Sequence, residues 1–222
     1  MTPERERCLA ILARRILEIR RPHPVRVAID GPDAAGKTVL ADELAGLLER
    51  SGRPVIRASI DGFHRPRAQR LVRGPESPEG YFFDSFDYPA LRATLLDPLG
   101  PDGDRTFRRR VFDFRLDEPV DADEEAADAR AILVFDGVFL LRRELADHWD
   151  FSIFVAVPFA ETVRRAVERD VTLFGSEDET RHRYETRYVP GQQLYYARER
   201  PQRKADVILD NADPANPRLI WA

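Results

Sequence analysis

Five short and almost continuously apolar runs are spaced along the chain. They are VRVAID (25–30), PVIRASI (54–60), ILVFD (132–136), FSIFVAV (151–157) and ADVILD (205–210). Runs of this kind are typical of parallel strands that are buried on both faces of a sheet. Other apolar positions recur at helical spacing and predict helices over 3–20, 37–50, 88–97, 142–148, 159–173 and 178–198. The pattern therefore predicts an α/β fold of three layers, α/β/α, with a central parallel five-stranded sheet.

The pattern loosens between the second and third of these strands. Residues 64–87 are rich in Pro, Gly and Arg and are predicted to form a long loop. The stretch RTFRRRVFDFRLD (105–117) contains short β-like runs that indicate a hairpin, and the acidic run 117–128 indicates a solvated loop or the start of a helix. Long loops inside a compact domain are usually functional. We expect one domain over 1–222, with a functional insert at about 62–120.

Composition excludes several classes of protein. The chain has 222 residues and a net charge of −4, whereas proteins that bind nucleic acid are usually basic. Its one cysteine, Cys8, excludes a disulfide within the chain and is typical of a reducing compartment. The charged N-terminal stretch has no signal-peptide core, and no apolar run is long enough to cross a bilayer. We therefore expect a cytoplasmic protein that binds neither nucleic acid nor a membrane.

A phosphate-binding motif follows the first predicted strand. GPDAAGKT (31–38) fits G-x-x-x-x-G-K-[ST] and opens the next helix, which is the context that this motif requires. Its glycines let successive N–H groups point at phosphate oxygens, and the helix N-terminus adds a positive dipole end. Lys37 would reach the β- and γ-phosphates of a nucleotide, and the Thr38 hydroxyl would bind Mg²⁺. The residues of this segment predicted to contact ATP are Gly31, Asp33, Ala34, Ala35, Gly36, Lys37, Thr38 and Val39.

Carboxylates end the second and third predicted strands. In a parallel sheet, ligands bind beyond the carboxyl ends of the strands, so these ends should meet at one crevice with the P-loop. Asp136, which precedes Gly137, is placed to hold Mg²⁺ directly or through water. Asp61 is placed opposite the γ-phosphate, where it can accept the proton of an attacking hydroxyl. The alternative for Asp61 is that it caps a turn with Gly62.

Several segments together resemble a known family. GPDAAGKT, SIDGFHR, YFFDSFDYPAL, VFDFRLD, VFDGV, RRAVERD and KADVILDN occur in the order and approximate spacing of the uridine kinase / phosphoribulokinase family of P-loop small-molecule kinases. The resemblance covers 25 to about 214, and pantothenate kinase, another relative, also has Asp-Gly-Phe after its second strand. The resemblance implies a P-loop kinase fold, ATP with Mg²⁺, and a general base at Asp61. It also implies that 62–120 binds the acceptor and that about 159–187 forms a lid.

The resemblance assigns roles to further residues. Asp84 falls on the aspartate that holds the ribose hydroxyls in uridine kinases, and Arg165 falls near the acceptor. Arg169, one helical turn further on, would stabilise charge on the transferred phosphoryl group. His64 follows the predicted base and could either orient the acceptor hydroxyl or simply pack against the loop. The loop after the fifth strand, with Asn211 and Asp213, is best placed to line the adenine.

The chain also departs from the uridine kinase pattern. Phe112 replaces a tyrosine and Asp117 replaces a histidine in the segment that reads the pyrimidine, which should change the substrate or relax the preference. The lid lacks the further Arg-Gly-Arg of uridine kinases. The segment RYVPGQQLYY (187–196) could supply a further acceptor contact through Arg187, Gln192 or Tyr195. The basic loop 64–73 could grip a second phosphate on the acceptor or be largely solvated.

These features leave several functions open. The leading hypothesis is an ATP-dependent kinase of a small hydroxyl-bearing substrate, most simply a nucleoside. A non-nucleoside alcohol, such as a sugar, a sugar phosphate or a pantothenate-like compound, is the alternative acceptor. A P-loop NTPase without an acceptor is the other alternative, but RKAD (203–206) has Arg203 in place of the asparagine of a guanine-reading motif and precedes its strand. A homo-oligomer is compatible with the sequence.

Overall fold

The structure is a computed structural model that describes residues 1–221. Over these residues the strands are β1 (Val25–Asp30), β2 (Val55–Ser59), β3 (Thr106–Phe107), β4 (Phe112–Asp113), β5 (Glu118–Pro119), β6 (Glu125–Ala126), β7 (Ile132–Asp136), β8 (Phe151–Ala156), β9 (Val207–Asp210) and β10 (Arg218–Trp221). The α-helices are α1 (Pro3–Glu18), α2 (Lys37–Arg50), α3 (Arg67–Arg70), α4 (Pro78–Asp84), α5 (Tyr88–Leu91), α6 (Phe159–Phe174), α7 (Glu177–Arg183), α8 (Val189–Glu199) and α9 (Pro201–Lys204). Short 3₁₀ turns occupy Ile60–Phe63 and Ala146–His148, and π-helical turns occupy Arg92–Leu96 and Tyr184–Tyr188.

Six strands form the main sheet, in the order β10-β9-β8-β1-β7-β2. Neighbouring strands are parallel except β10, which pairs antiparallel with β9. The predicted α/β fold is confirmed, and all five predicted strands are present. The sixth strand corrects the predicted number. Its sequence, RLIW, forms a mostly exposed edge strand and therefore lacks the continuous buried run that marks the others.

Helices pack on both faces of the main sheet. Because side chains alternate along a strand, neighbouring residues of β1 belong to different hydrophobic cores. Val27 lies in one core with Leu12 of α1 and Leu44 of α2. Ala28 lies in the other core with residues of the insert such as Phe82. Two buried layers of side chains thus hold the sheet in place between its helices.

The insert at 62–120 is more ordered than its sequence predicts. Residues 64–87, expected to be a loop, contain the short helices α3 and α4, and Ser77 caps α4 by accepting a hydrogen bond from the Gly80 N–H at 3.0 Å. Residues 105–117 do not form one hairpin, because β3 pairs with β6 and β4 pairs with β5. The acidic run 117–128 therefore supplies two strands and no helix.

Three predicted helices differ from the observed ones. The helix expected at 88–97 is α5 followed by a π-helical turn, and the one expected at 178–198 is α7, a π-helical turn and α8. The helix expected at 142–148 is only the 3₁₀ turn Ala146–His148. The backbone just before it is fixed by tertiary contacts, since the Leu141 N–H donates to the side chains of Asp30 and Tyr195. Within residues 1–221, no helix combines the length and apolar character needed to cross a bilayer.

Candidate active site

A cleft opens where the carboxyl ends of β1, β7 and β2 meet, and its volume is about 670 Å³. This edge of a parallel sheet is where ligands usually bind. The predicted site residues that line the cleft are Asp33, Ala34, Lys37, Thr38, Asp61, His64, Asp136 and Arg169. The fold therefore brings the predicted phosphate-binding residues and the predicted general base into one cavity.

The backbone of the P-loop requires glycine at two positions. Gly31 has a φ of 151°, and a Cβ there would lie 2.5 Å from the carbonyl oxygen of Val155 on β8. Gly36 has a φ of 90°, in the left-handed region that glycine adopts most readily, and α2 begins directly after it. The first N–H groups of α2 have no partners within the helix and can bind an anion. The local geometry is therefore that of a phosphate cradle.

The Lys37 side chain lies inside this cradle. Its Nζ donates a hydrogen bond to the carbonyl oxygen of Pro32 at 2.7 Å, and 9% of the residue is exposed. Burial lowers the pKa of Lys37, while the charges of Asp33, Asp30 and Asp136 oppose this effect. The ammonium is held by a neutral carbonyl group, which an incoming phosphate oxygen can replace.

Thr38 and Asp136 contact each other directly. Thr38 Oγ1 donates to Asp136 Oδ2 at 2.7 Å, and Nη2 of Arg57, on β2, lies 3.0 Å from Asp136 Oδ1. Among residues 1–221, no group of three or more His, Cys, Asp or Glu side chains could hold a metal alone. The pair of oxygen donors nevertheless fits Mg²⁺, which is usually bound through one or two carboxylates together with substrate phosphates. The sequence analysis did not single out Arg57. The feature that could have indicated it is an arginine within a predicted strand that ends near an acidic residue.

Asp61 lies in the 3₁₀ turn that follows β2. The residue is open to the cleft, and its carboxylate accepts no hydrogen bond from residues 1–221, so it does not cap a turn with Gly62. The walls of the cleft nevertheless displace much of the water around the carboxyl group. Burial, followed by the charges of Asp33 and Asp136, raises the pKa of Asp61 to about 6. A carboxyl group with such a pKa can accept a proton near neutral pH.

His64 lies beside Asp61 in the wall of the cleft. Its Nδ1 is 3.0 Å from the backbone oxygen of Asp61. Because a carbonyl oxygen only accepts, Nδ1 carries the hydrogen and Nε2 keeps a lone pair. Burial lowers the pKa of His64 to about 4, so the ring is neutral at neutral pH. The ring centroid is 4.5 Å from that of Phe86 and 4.8 Å from that of Phe114, and both phenyl rings also line the cleft.

Arg169 reaches the cleft from α6. Its Nε and Nη2 donate to the two oxygens of Asp170 at 2.7 and 2.8 Å. Nη2 also donates to the Tyr184 hydroxyl at 3.2 Å, and Nη1 has no hydrogen-bond partner in the part of the chain that the structure describes. The guanidinium group is thus oriented by its neighbours, with one free nitrogen.

Three predicted acceptor contacts do not line the cleft. Asp84 pairs with Arg73 at 2.8 Å, and Asp117 accepts a hydrogen bond from Arg70 at 3.0 Å on the protein surface. Phe112 is 6% exposed and lies within β4. Alignment by a short motif could not detect this, because it does not show which side chains of the insert turn toward the cleft.

Phe114 and Arg115, two and three residues after Phe112, do line the cleft. The Arg115 guanidinium carbon lies 5.7 Å from the centre of the Phe114 ring. Its guanidinium makes no ion pair or hydrogen bond with any other residue in 1–221. The sequence analysis missed both residues, although they stand in the VFDFRLD segment that it quoted.

Asp33 connects the P-loop to two other elements. Its Oδ2 accepts hydrogen bonds from the Tyr81 hydroxyl of α4 and from Gln192 Nε2 of α8, both at 2.6 Å. Gln192 is 2% exposed and does not line the cleft, which corrects its prediction as an acceptor contact. Its hydrogen bond to Asp33 instead helps to hold the P-loop in place from outside the cleft. Tyr81 lines the cleft and was not predicted.

A second cavity, of about 440 Å³, lies beside the P-loop and is lined by Val39 and Asn211. Val39 is 56% exposed, and Asn211 Nδ2 donates to the backbone oxygen of Ala35 at 2.7 Å. Ala35 itself is fully buried and offers a nucleotide no side-chain contact. The loop that was predicted to line the adenine therefore lies at this second cavity.

Two predictions about this region need correction. Arg165 was expected near the acceptor, but it lines the second cavity, where Nη2 donates to the backbone oxygens of Asn211 and Ala212 at 3.0 and 2.9 Å. Asp213 was expected to contact ATP, but it does not line the cavity. Its carboxylate instead accepts a hydrogen bond from the Ala215 N–H at 2.9 Å within its own turn.

Comparison with known proteins is consistent with this geometry. No family model matches the chain. The chain is similar to uridine-cytidine kinase B from Dictyostelium discoideum, with 28% identity over 193 residues, which is 84% of this chain and 74% of that protein. A structure from Bacillus stearothermophilus described as a "possible uridine kinase" has a TM-score of 0.72 and 24% identity, and the match covers 91% of this chain and 97% of that one.

A structure from Silicibacter sp. TM1040, described provisionally as a fructose transport system kinase, also has a TM-score of 0.72. It is 26% identical, and the match covers 85% of this chain and 94% of that one. The fold, the P-loop cleft and these similarities define the chain as a P-loop kinase, that is, a phosphotransferase. These similarities confirm the resemblance to the uridine kinase / phosphoribulokinase-like family that the sequence shows.

Proposed function

We propose that this enzyme transfers the γ-phosphoryl group of ATP, taken with Mg²⁺, to a hydroxyl group of a nucleoside. The observation that carries the proposal is the position of the Asp61 carboxyl group. It faces the same cleft as Lys37, Thr38 and Asp136. Enzymes that only hydrolyse a nucleotide need a positioned water, whereas a carboxylate with a raised pKa beside a wide cavity suits an alcohol acceptor.

The donor side of the reaction follows from the P-loop. The phosphates of ATP would lie on the N–H groups of 31–38, with Lys37 exchanging the Pro32 carbonyl for a phosphate oxygen. Thr38 and Asp136 would hold Mg²⁺, which neutralises charge on the β- and γ-phosphates. The base would occupy the cavity lined by Val39 and Asn211.

The acceptor hydroxyl would lie between Asp61 and the γ-phosphate. His64 Nε2 can accept a hydrogen bond from a neighbouring hydroxyl of the acceptor and so orient the substrate, which leaves the hydrogen of the reacting hydroxyl for Asp61. As the hydroxyl oxygen bonds to the γ-phosphorus, its O–H bond breaks and the proton passes to the Asp61 carboxylate. The bond from the γ-phosphorus to the bridging oxygen of ATP breaks, and ADP leaves. Arg169 Nη1 is free to donate to the transferred phosphoryl group.

We call the part of the cleft where the acceptor would lie its acceptor half. A nucleoside is favoured by the aromatic rings there. Phe86, Phe114 and Tyr81 line this half, and a nucleobase has a flat face that stacks on such rings. Uridine-cytidine kinase B is a relative of 28% identity, which also favours a pyrimidine nucleoside.

A non-nucleoside alcohol is the second candidate. Arg115 carries an unpaired positive charge at the rim of the acceptor half, which suits a substrate with a phosphate or carboxylate group. The similarity to the provisional fructose transport system kinase favours a sugar-like acceptor in the same way.

The test is release of ADP from ATP·Mg²⁺ in the presence of single acceptors. The panel contains uridine, cytidine, the purine nucleosides, fructose, ribulose 5-phosphate and pantothenate. We expect a pyrimidine nucleoside to stimulate ADP release and to yield the nucleoside 5′-phosphate in equal amount. Stimulation only by an anionic or sugar acceptor would contradict the nucleoside and support the second candidate, a non-nucleoside alcohol. Release of ADP that no acceptor changes would contradict both and indicate an NTPase.

A further inference from the structure

The carboxylate of Asp136 is held from two sides. Thr38 Oγ1, on α2, donates to Oδ2 at 2.7 Å, and Arg57 Nη2, on β2, donates to Oδ1 at 3.0 Å. Asp136 is 2% exposed, so water contributes little to its orientation. A carboxylate with one hydrogen bond can still rotate about its Cβ–Cγ bond, whereas separate partners on its two oxygens fix it.

The register of the sheet explains why Arg57 reaches Asp136. Strands β2 and β7 are parallel, and Arg57 pairs with Val134, one pleat before Asp136. Arg57 Nη1 donates to the backbone oxygens of Val134 at 2.8 Å and Ala58 at 3.1 Å. These bonds anchor the guanidinium plane to both strands, so Nη2 has a defined direction toward the carboxylate.

Asp42 completes the arrangement. Arg57 Nε donates to Asp42 Oδ1 at 2.9 Å, and Asp42 lies one helical turn after Thr38 on α2. The four side chains therefore form a continuous chain of hydrogen bonds across α2, β2 and β7, in the order Thr38, Asp136, Arg57 and Asp42. Arg57 pairs with both Asp42 and Asp136, so its positive charge is divided between two carboxylates. It therefore does not simply cancel the negative charge of Asp136.

We infer that Arg57 is a positioning residue for the magnesium-binding carboxylate of this enzyme. It occupies Oδ1 of Asp136, so that Oδ2 stays directed to Thr38 and to the metal. The inference rests on the proposed function, in which Thr38 and Asp136 hold Mg²⁺ with ATP. Side chains that orient metal ligands in this way usually contribute about 10- to 100-fold to metal affinity or activity.

The experiment measures ATP binding by calorimetry over a series of Mg²⁺ concentrations, without acceptor, with EDTA as the Mg²⁺-free reference. Arg57→Met should weaken the gain in ATP affinity that Mg²⁺ provides by about 10- to 100-fold and leave the affinity in EDTA nearly unchanged. Arg57→Lys keeps a charge near Asp136 but cannot make all the bonds of the guanidinium group. It should recover part of the gain.

Arg26→Met is the matched control. Arg26 is also a strand arginine paired with a carboxylate, although it is more buried than Arg57, and its Nε lies 3.4 Å from Asp150 at the opposite end of β1 from the cleft. This variant should lower the unfolding temperature and leave the Mg²⁺ dependence unchanged. If Arg57→Met behaves like Arg26→Met, or gains Mg²⁺ affinity, Arg57 is only structural. A wild-type protein that binds ATP equally with and without Mg²⁺ would instead contradict the proposed function itself.

Discussion

At the scale of single residues, Asp61 combines an activated carboxyl group with an unfavourable charge. We predict that Asp61→Asn lowers kcat by about 10²- to 10⁴-fold, because the amide cannot accept the hydroxyl proton. ATP affinity should hardly change, since Lys37 and the P-loop are intact. The measurement is steady-state kinetics with the best acceptor, together with calorimetric ATP binding. A variant with a nearly full rate would remove Asp61 from the mechanism.

The unfolding temperature separates this effect from a folding defect. Burial and the charges of Asp33 and Asp136 raise the pKa of Asp61 to about 6 in the folded protein. Ionised Asp61 is therefore less favourable in the folded than in the unfolded state, which lowers the stability of the protein. This loss of stability is absent below the pKa of Asp61 in the unfolded chain and is complete above pH 6. At pH 8, Asp61→Asn should raise the unfolding temperature. A fall would indicate that the variant loses activity through misfolding.

The same pKa predicts the pH dependence of catalysis. Asp61 acts as a base only when it is ionised, so kcat/KM should fall about tenfold per pH unit below about pH 6. His64 has its pKa lowered to about 4 and should not contribute above pH 5. The profile of kcat/KM between pH 5 and 8 measures this directly. In the His64→Gln variant, the fall of kcat/KM at low pH should keep the same midpoint. A shift of that midpoint by one pH unit or more would show that His64, and not Asp61, causes the fall.

The sheet determines where two of the predicted site residues lie. Asp136 ends a predicted strand and Asp61 closely follows one, so the topology alone brings their side chains to the P-loop. Phe112 and Asp117 lie outside the cleft because a turn, not a strand, decides which side chains of the insert face it. In that turn the Asp113 carboxylate binds the N–H groups of Arg115 and Leu116. No periodicity in the sequence reports such a contact.

At the scale of elements, Asp33 joins the P-loop to α4 and α8. We predict that Tyr81→Phe destabilises the protein by about 2 kcal/mol, because it removes a hydrogen bond to the half-buried carboxylate of Asp33. For a chain of this size, the unfolding temperature should fall by roughly 4–8 °C. Because α4 forms part of the acceptor wall, kcat/KM should also fall by about 10- to 10²-fold.

Tyr196→Phe is the control for this prediction. The Tyr196 hydroxyl makes no hydrogen bond within residues 1–221, although its ring packs on Phe154 and Phe159. This variant should therefore change neither the unfolding temperature nor kcat/KM. Equal effects of the two substitutions, measured by thermal denaturation and kinetics, would show that the Tyr81–Asp33 bond has no special role.

The elements also show which parts of the fold the sequence can predict. The helix α2 and the strands β1 and β7 begin and end at the predicted residues, because their buried runs have clear chemical limits. The strand β6 and its pairing with β3 escaped prediction. Each strand has two residues, and they pair Thr106 with Ala126 and Phe107 with Glu125 across a long separation in sequence. Strands this short are stabilised by the surrounding packing and have little signal of their own.

At the scale of the whole molecule, the second cavity, which we propose holds the base, is built by residues from both α1 and the loop after β9. Arg5 of α1 pairs with Glu43 of α2 at 2.6 Å and donates to Asn211 Oδ1 and the Pro214 backbone oxygen, both at 3.3 Å. The sequence placed adenine near 211–214 but gave no reason to connect α1 with it. Contacts of this range follow from the complete fold, so no local pattern could predict them.

Nucleotide binding should stabilise the whole molecule, and the two lysines of the chain offer a test. At ATP·Mg²⁺ about 100-fold above its Kd, mass action contributes about 2.7 kcal/mol, which should raise the unfolding temperature by roughly 5–10 °C. Lys37→Ala should lose most of this shift. Lys204 pairs with Glu199 at 2.8 Å far from the P-loop in sequence, so Lys204→Ala should lower the unfolding temperature but keep the shift. If ATP stabilises Lys37→Ala as much as the wild type in thermal denaturation, the nucleotide does not bind at the P-loop.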